Sequence, residues 1–324
     1  MIRDKKSLRI VFLGTPEFAV ESLSRLHEGG YNVVGVITMP DKIAGRGHKL
    51  LQSPVKEYAI AHGIKVLQPT NLKDTSFVEE LRELKADLQI VIAFRMLPEI
   101  VWNMPLLGTF NLHASLLPKY RGAAPINWAV MNGDTETGVT TFFLKQEIDT
   151  GDIIQQVSIP IEMTDNVGVI HDKLMMLGAD MVIETVDAII RDDVKAIPQD
   201  HLCNKGIKAT PAPKIFKDTC RIDWSLPAMK IYNHVRGLSP YPAAWTMLCD
   251  KDGNEYPVKI FETAVVDNML EVHAPGNIII ADKRLIIACE DKAIEILSLQ
   301  LAGKKRLSAD EFLRGFHVSE MTCE

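Results

Sequence analysis

Residues 8–27 read LRIVFLGTPEFAVESLSRLH, and this stretch decides the fold of the first half of the chain. Residues 8–13 form a continuous apolar run of strand length, whereas residues 17–27 carry apolar side chains at helical spacing. A Gly-Thr-Pro turn separates the two patterns. The stretch therefore predicts a buried strand, a turn and a helix.

The same alternation continues along the chain, where further apolar runs predict strands and helical periodicities predict the helices between them. The predicted strands cover residues 31–38, 64–67, 88–94, 109–113 and 138–144, and the predicted helices cover residues 54–62, 77–85 and 167–190. Strands that alternate with helices in this way pair in parallel and are covered by helices on both faces. The sequence therefore predicts an α/β domain over residues 1–194.

A second domain is expected because single cores rarely grow beyond about 250 to 300 residues, and the chain has 324. Residues 195–217 place prolines among lysines and lack apolar periodicity, which predicts a basic interdomain linker. Residues 218–324 hold short β-rich runs at close spacing, at 244–248, 256–264, 277–280, 285–289 and 293–300. This pattern predicts a small barrel or sandwich.

The composition excludes several classes of protein. Apolar residues make up 47% of the chain and charged residues 24%, the balance of a globular enzyme with ample core. The first residues place basic side chains before an apolar run but lack a small-residue cleavage site, so a signal peptide is not expected. The five cysteines are scattered and form no Cys-x-x-Cys pair, which predicts neither a disulfide framework nor a zinc site. We therefore expect a cytoplasmic protein without a metal.

The charge distribution leaves two interpretations open. A formal net charge of -6 argues against a chain that coats nucleic acid non-specifically. Residues 205–236, however, hold seven lysine and arginine side chains against two aspartates, and such a segment could contact phosphate. The alternative is a solvated linker whose lysines keep it soluble.

The candidate catalytic residues lie where parallel sheets bind ligands, at the carboxyl ends of the strands. Asn111 and His113 are two residues apart on a predicted strand, so both side chains point to one face. An amide and an imidazole on one face can donate to the same developing oxyanion. Asp149 begins an Asp-Thr-Gly-Asp turn that can hold a carboxylate at this edge, where it would pair with His113. The alternative is that all three are ordinary polar residues of a strand end and a turn.

A resemblance to a known family favours the catalytic interpretation. Residues 115–126, SLLPKYRGAAPI, directly follow an Asn-Leu-His run and resemble the signature of the folate-dependent formyltransferases. The resemblance implies a Rossmann-like catalytic domain in which Asn111, His113 and Asp149 are the catalytic residues. It also implies 10-formyltetrahydrofolate as the formyl donor, with folate contacts at Ser115, Leu116, Leu117, Pro118, Phe94 and Arg95. In this chain, residues 93–98 depart from the Ala-Tyr-Gly start of that segment that is usual in the family.

Other segments resemble the members of that family that act on methionyl-tRNA, and this resemblance covers nearly the whole chain. Residues 40–50, PDKIAGRGHKL, resemble a loop that reaches the acceptor end of the tRNA. The resemblance implies tRNA contacts at Arg46 and Lys49 in this loop. The alternative is a flexible loop with a spare arginine.

The second half of the chain extends the resemblance. Residues 221–225, RIDWS, and residues 235–245, VRGLSPYPAAW, resemble the start of the family's OB-like C-terminal domain. The basic linker would then contact the tRNA through Lys214 and Lys217. Together the resemblances imply a monomer that transfers a formyl group to the α-amine of initiator methionyl-tRNA without involving a membrane.

Three alternatives remain for the function. Within the family, the acceptor could be a small amine. Enzymes for glycinamide ribonucleotide usually lack a second domain of this size, and enzymes for amino sugar nucleotides tend to show Arg-Gly-Arg-Ala-Pro where residues 121–125 read Arg-Gly-Ala-Ala-Pro. A dinucleotide-binding dehydrogenase or sensor would need two more glycines after Gly14. A pure RNA-binding protein would leave the arrangement of Asn111, His113 and Asp149 without a role.

Overall fold

The structure is a computed structural model that describes residues 4–44, 49–267, 273–318 and 321–323. The chain divides into two units. The first unit contains Met1–Gly122, Gly138–Ile159 and His171–Pro211, and the second contains Ala123–Thr137, Pro160–Ile170 and Ala212–Glu324. Each unit is therefore assembled from segments that are discontinuous in the sequence.

The described part of the chain alternates helices and strands. The helices are α1 (Glu17–Glu28), α2 (Pro54–Ala61), α3 (Thr75–Glu83), α4 (Glu99–Trp102), α5 (Pro125–Met131), α6 (Val167–Ile190), α7 (Gln199–Cys203), α8 (Ala228–Leu238) and α9 (Ala309–Gly315), and a 3-10 helix spans Asp218–Cys220. The strands are β1 (Ile10–Gly14), β2 (Val33–Ile37), β3 (Lys42–Ala44), β4 (Lys49–Leu51), β5 (Val66–Leu67), β6 (Leu88–Ile92), β7 (Thr109–His113), β8 (Arg121–Gly122), β9 (Glu136–Phe143), β10 (Ile153–Pro160), β11 (Pro211–Ala212), β12 (Ala244–Cys249), β13 (Glu255–Val266), β14 (Ile278–Ala281), β15 (Arg284–Ala288), β16 (Ala293–Leu301), β17 (Leu307–Ser308) and β18 (Thr322–Cys323). Within the described residues, no helix is both long and apolar enough to span a membrane.

The first unit is built on a 7-stranded sheet with the order β10-β9-β7-β6-β1-β2-β5. Strands β5, β2, β1, β6 and β7 pair in parallel, and β9 pairs with β7 in the antiparallel direction. From β1 the chain first extends the sheet to one side through β2 and β5, and then to the other side through β6 and β7. The predicted parallel sheet of a Rossmann-like domain is therefore confirmed.

The central strands of this sheet are buried on both faces. Every residue of β1 and of β6 is buried, as expected where helices cover both faces of a parallel sheet. Gly14 permits the tight turn into α1, because a Cβ atom at this position would lie 2.8 Å from the Cβ atom of Ala19. Since the strands are parallel, the carboxyl ends of β1, β6 and β7 lie along one edge of the sheet.

The second unit is built on an antiparallel sheet with the order β14-β15-β16-β13-β12-β18. A bridge between Asn277 and Thr322 joins the two ends of this sheet, together with a hydrogen bond of 2.8 Å from the Cys323 amide to the Gly276 carbonyl. The sheet is therefore a nearly closed barrel. The predicted small OB-like barrel is confirmed.

Two helices complete the core of the second unit. α8 buries Ile231, Val235 and Leu238 in the same apolar cluster as residues of the barrel strands. α9 contributes Phe312 to that cluster, and its first turn is fixed by a capping box between Ser308 and Glu311. The barrel is therefore packed against helical segments that precede and follow its strands.

Residues 195–217, the predicted linker, are divided between the two units. Residues up to Pro211 belong to the first unit, and residues from Ala212 belong to the second. Within the first part, α7 places Gln199 in the interior, with 2% of its surface exposed. The domain limits at residues 194 and 217 stay a prediction.

Candidate active site

Strand β7 carries the first two candidate catalytic residues. It lies between β6 and β9, with Asn111 opposite Val91 on one side and Phe142 on the other. Phe110 and Leu112 are buried, whereas Asn111 is partly exposed and His113 is 7% exposed. Because strand side chains alternate, Asn111 and His113 share one face of the sheet at the carboxyl end of β7.

The imidazole of His113 has a polar neighbour at each ring nitrogen. Its Nε2 lies 2.8 Å from the Tyr120 carbonyl oxygen. Because a carbonyl only accepts hydrogen bonds, Nε2 carries a proton and donates it to Tyr120. Nδ1 lies 3.8 Å from the Asp149 Oδ2 atom, which suits an ion pair when the ring is protonated but is too long for a hydrogen bond. The structure thus brings the side chains of His113 and Asp149, two of the three predicted catalytic residues, together.

Asp149 occupies a fixed position in the loop between β9 and β10. Its Oδ2 atom accepts a hydrogen bond of 2.8 Å from the Gly122 amide. Its backbone has φ 54, in the left-handed region that aspartate tolerates better than most residues. Two residues later, a Cβ atom on Gly151 would lie 1.6 Å from the Phe143 carbonyl oxygen, so the loop passes too close to β9 for any side chain.

The predicted folate contacts that follow β7 form a rigid segment. Thr140 Oγ1 donates to the Ser115 carbonyl at 2.6 Å and accepts from the Leu117 amide at 3.2 Å. The Ser115 hydroxyl donates to the Lys119 carbonyl at 2.7 Å. Ser115, Leu117 and Pro118 are buried, whereas Leu116 is partly exposed. The segment that follows His113 therefore has a fixed main chain, and its Leu116 side chain is partly exposed.

Phe94 and Arg95 lie just beyond the carboxyl end of β6, next to β7. The Arg95 guanidinium donates to the Thr70 carbonyl at 2.9 Å and also to the Pro69 carbonyl. It lies 5.7 Å from the centre of the Phe94 ring, and burial lowers the pKa of Arg95. The large, charged side chain is thus accommodated by backbone carbonyls of the loop after β5.

The predicted tRNA contacts fall in three places. Arg46 lies outside the described residues, and Lys49 is placed as the first residue of β4. Lys214 and Lys217 are exposed in the second unit. Nζ of Lys214 lies 5.6 Å from the Phe216 ring centre, and Nζ of Lys217 lies 5.3 Å from the Trp245 ring centre.

Around these lysines, a third cation lies close to an aromatic ring. Arg221 also lies over the Trp245 ring, at 5.6 Å, and Phe216 is 62% exposed. The indole of Trp245 donates to the Lys217 carbonyl at 2.8 Å, which fixes the ring against this segment. We refer to Lys214, Phe216, Lys217, Arg221 and Trp245 as the basic-aromatic surface.

Sequence reasoning missed the groups that hold the candidate catalytic residues. The Tyr120 carbonyl and the Gly122 amide are main-chain atoms, so no side-chain pattern marks them. Gln199 contacts the Asp149 loop but lies in the segment that resembles a linker. Among the described residues, no group of three or more His, Cys, Asp or Glu side chains could hold a metal ion.

Comparison with known proteins identifies the family. Residues 8–186 match the family model described as formyl transferase, and residues 214–317 match the model described as formyl transferase, C-terminal domain. The chain therefore belongs to the formyl transferase family.

Curated relatives place the chain within this family. It is 64% identical to the methionyl-tRNA formyltransferase of Bacteroides fragilis over 98% of this chain and 97% of the relative. It is 62% identical to that of Bacteroides thetaiotaomicron over 98% of both chains, and 52% identical to that of Flavobacterium johnsoniae over 97% of this chain and 98% of the relative. Within the family, the chain belongs with the methionyl-tRNA formyltransferases, which confirms the resemblance found in the sequence.

Solved structures show the same fold at low sequence identity. The sugar 3N-formyl transferase WlaRD, solved with dTDP and 5-N-formyl-THF, matches with a TM-score of 0.65 and 20% identity over 92% of this chain and 99% of that chain. HypX from Aquifex aeolicus in complex with tetrahydrofolic acid matches with a TM-score of 0.61 and 21% identity over 95% of this chain. This chain spans 48% of HypX. These likenesses support the fold alone.

Proposed function

We propose that the chain transfers the formyl group of 10-formyltetrahydrofolate to the α-amine of initiator methionyl-tRNA, as a cytoplasmic monomer. The observation that carries the proposal is the placement of His113 between the Tyr120 carbonyl and the Asp149 carboxylate, on the strand face shared with Asn111. The acceptor follows from the relatives, which are named methionyl-tRNA formyltransferases at up to 64% identity. The two solved relatives described above contain folates, which supports a folate donor.

In the proposed reaction, the methionyl amine attacks the formyl carbon and negative charge develops on the formyl oxygen. Asn111 and His113 donate hydrogen bonds to that oxygen, which lowers the barrier because the charge exists only in the transition state. Since Nε2 of His113 donates to Tyr120, Nδ1 is the nitrogen that faces the substrate, and it donates to the oxyanion when the ring carries a proton on both nitrogens. The bond between the amine nitrogen and the formyl carbon forms first. The bond from that carbon to the folate nitrogen then breaks, and this nitrogen takes up a proton equivalent to the one that the amine loses.

Asp149 has a separate task in this scheme. The attacking amine must lose a proton, and the carboxylate beside His113 can accept it directly or through water. The Gly122 amide donates to the same carboxylate oxygen that faces His113. The Asp149 carboxylate is thereby kept beside Nδ1 of His113, where it can reach the attacking amine. No covalent bond between substrate and enzyme is required.

The formyl donor, 10-formyltetrahydrofolate, would lie against the segments that follow β6 and β7. Leu116 and Phe94 offer partly exposed apolar surface there, suited to the flat ring system of a folate. Ser115, Leu117 and Pro118 would contribute through their fixed main chain, and Arg95 would act by holding the loop after β6 in place.

The basic-aromatic surface supports a nucleic acid partner. Lysine and arginine attract phosphates, and exposed aromatic rings can stack on unpaired bases. Phe216 provides such a ring between Lys214 and Lys217. We propose that this surface contacts the tRNA, and that Arg46 and Lys49 of residues 40–50 contribute further contacts.

Replacing both Lys214 and Lys217 with alanine is expected to raise the KM for methionyl-tRNA while leaving the rate at saturation nearly unchanged. Each lost phosphate contact lowers the slope of log affinity against log salt by about 0.7 to 0.9. The measurement is KM for the tRNA over a series of salt concentrations. The Lys6→Ala/Lys73→Ala variant removes two exposed lysines from the first unit and serves as the control. An unchanged salt slope in the Lys214/Lys217 variant would contradict the proposed contact.

Replacing Gly151 with alanine is expected to displace the loop that carries Asp149. The added Cβ atom would lie 1.6 Å from a carbonyl oxygen of β9, so the backbone must move. A displacement near 1 Å at a catalytic group can lower the rate by about 100-fold. The measurement is single-turnover transfer, with thermal unfolding measured in parallel. Gly315→Ala, where nothing lies within 4 Å of the added atom, should behave like the unmodified protein, and equal behaviour of the two variants would contradict the prediction.

The proposed function is tested by single-turnover transfer from 10-formyltetrahydrofolate to charged initiator methionyl-tRNA. Glycinamide ribonucleotide and an amino sugar nucleotide compete as acceptors in the same reaction. We expect formylation of the tRNA alone. Formylation of a small amine alone would preserve the catalytic site and overturn the acceptor, whereas no transfer to any acceptor would overturn the reaction.

A further inference from the structure

Gln199 is a buried amide whose hydrogen-bonding capacity is fully used. It lies in α7, in the first unit, and its surface is 2% exposed. Its Nε2 group donates to the Asp149 carbonyl at 2.8 Å and to the Gly151 carbonyl at 2.9 Å. Its Oε1 atom accepts two hydrogen bonds from the Arg121 guanidinium, at 3.1 and 2.6 Å. A carboxamide has two donor and two acceptor positions, and all four have partners here.

These bonds complete a ring of contacts around the candidate catalytic carboxylate. Gly122, the neighbour of Arg121, donates its amide to the Asp149 side chain. Gln199 joins the Arg121 side chain to the Asp149 main chain. The carboxylate is therefore fixed twice, once at its own oxygen and once through its backbone, and both supports come from the Arg121–Gly122 segment.

The backbone of Asp149 requires support from its surroundings. Asp149 adopts φ 54, a conformation that costs energy unless the surroundings impose it. The preceding Ile148 is 59% exposed, so apolar packing does not anchor the loop at that point. Gln199 restrains the loop, because its amide group donates to the Asp149 and Gly151 carbonyls while Arg121 holds its oxygen.

We infer that Gln199 is a positioning residue for formyl transfer that sets the Asp149 carboxylate against Nδ1 of His113. Gln199 contacts main-chain atoms of the loop and acts through Asp149. The inference rests on the proposed catalytic role of Asp149. The geometry also explains why an amide is needed: glutamate would keep the size and the Arg121 contact, but it would lose both donated bonds and turn a carboxylate toward two carbonyl oxygens.

The test compares Gln199→Glu, Asp149→Asn and the double variant in single-turnover formyl transfer to methionyl-tRNA. We expect Gln199→Glu to lower the rate by about 100-fold, since a misplacement near 1 Å has that effect. The KM values for the tRNA and for 10-formyltetrahydrofolate should stay close to those of the unmodified protein. The double variant should be no slower than Asp149→Asn alone, because both changes remove the same contribution.

If Gln199 only stabilises the fold and does not position Asp149, the result is different. Gln199→Glu would then lower the melting temperature and leave the single-turnover rate intact below that temperature, or its effect would multiply with that of Asp149→Asn. Either outcome overturns the inference, as does an unchanged rate in Gln199→Glu. Gln155→Glu is the matched control, because Gln155 accepts from Thr185 Oγ1 at 3.2 Å and glutamate keeps that acceptor; its rate should be unchanged.

Two further measurements distinguish failure of the Gln199 inference from failure of the proposed role of Asp149. If Gln199→Glu does not fold, Arg121→Lys weakens the support of Gln199 from the other side and should give a smaller loss of rate that is also absent from the double variant with Asp149→Asn. A multiplied loss in that double variant would overturn the inference. If Asp149→Asn alone retains the full rate, the proposed catalytic role fails. A slow Asp149→Asn with a fully active Gln199→Glu overturns only the role of Gln199.

Discussion

Replacing Asn111 with alanine is expected to slow formyl transfer by about two to three orders of magnitude, the effect of removing one donor to a developing oxyanion. The side chain is partly exposed on a strand whose neighbours Phe110 and Leu112 carry the packing. Folding should therefore change little. The measurement is the single-turnover rate at saturating donor and tRNA, together with the melting temperature.

The control for this variant is Asn103→Ala, the same substitution at the exposed residue that follows α4. Its rate should match that of the unmodified protein. A mild loss in Asn111→Ala, of only a few-fold, would show that Asn111 is not a primary donor to the formyl oxygen.

Replacing Asp149 with asparagine is expected to slow transfer by about two to four orders of magnitude, the usual contribution of general acid–base catalysis. Asparagine keeps the shape of the side chain and can still accept from the Gly122 amide. It removes the negative charge 3.8 Å from His113 Nδ1 and can no longer take the proton from the amine. The measurement is single-turnover transfer, in which product release does not mask the chemical step.

Asp152 provides the matched control for this prediction. It lies in the same loop and pairs with Lys145 at 2.7 Å, partly exposed to solvent. Such a pair contributes at most about 1 kcal/mol, so Asp152→Asn should transfer the formyl group at a normal rate. Equal losses in both variants would point to general disturbance of the loop and contradict the role of Asp149.

The sequence predicts those parts of the fold that depend on apolar patterning. The strand predicted at residues 109–113 and the helix predicted at residues 167–190 coincide with β7 and α6. Both are continuous patterns whose burial follows from their own residues. α8 is not among the predicted helices, although Ile231, Val235 and Leu238 stand at helical spacing and are buried in the barrel core.

In the candidate site, too, the sequence predicts residues that belong to a local pattern and misses those whose partners are distant along the chain. Asn111 and His113 can be found because they alternate with apolar residues on a single strand. Gln199 cannot be found in this way, because its partners Asp149 and Arg121 are 50 and 78 residues away in the sequence. The accommodation of Arg95 is equally non-local, since it depends on carbonyls of the loop after β5.

The discontinuous make-up of the two units has a consequence for synthesis on the ribosome. Residues 123–137 and 160–170, which belong to the second unit, emerge before the last segment of the first unit. The first unit cannot be completed until Pro211 has left the exit tunnel, and the Asp149 loop lacks its Gln199 support until residue 199 has emerged. A nascent chain released at residue 194 would carry every candidate catalytic side chain and still lack the restraint that orients one of them.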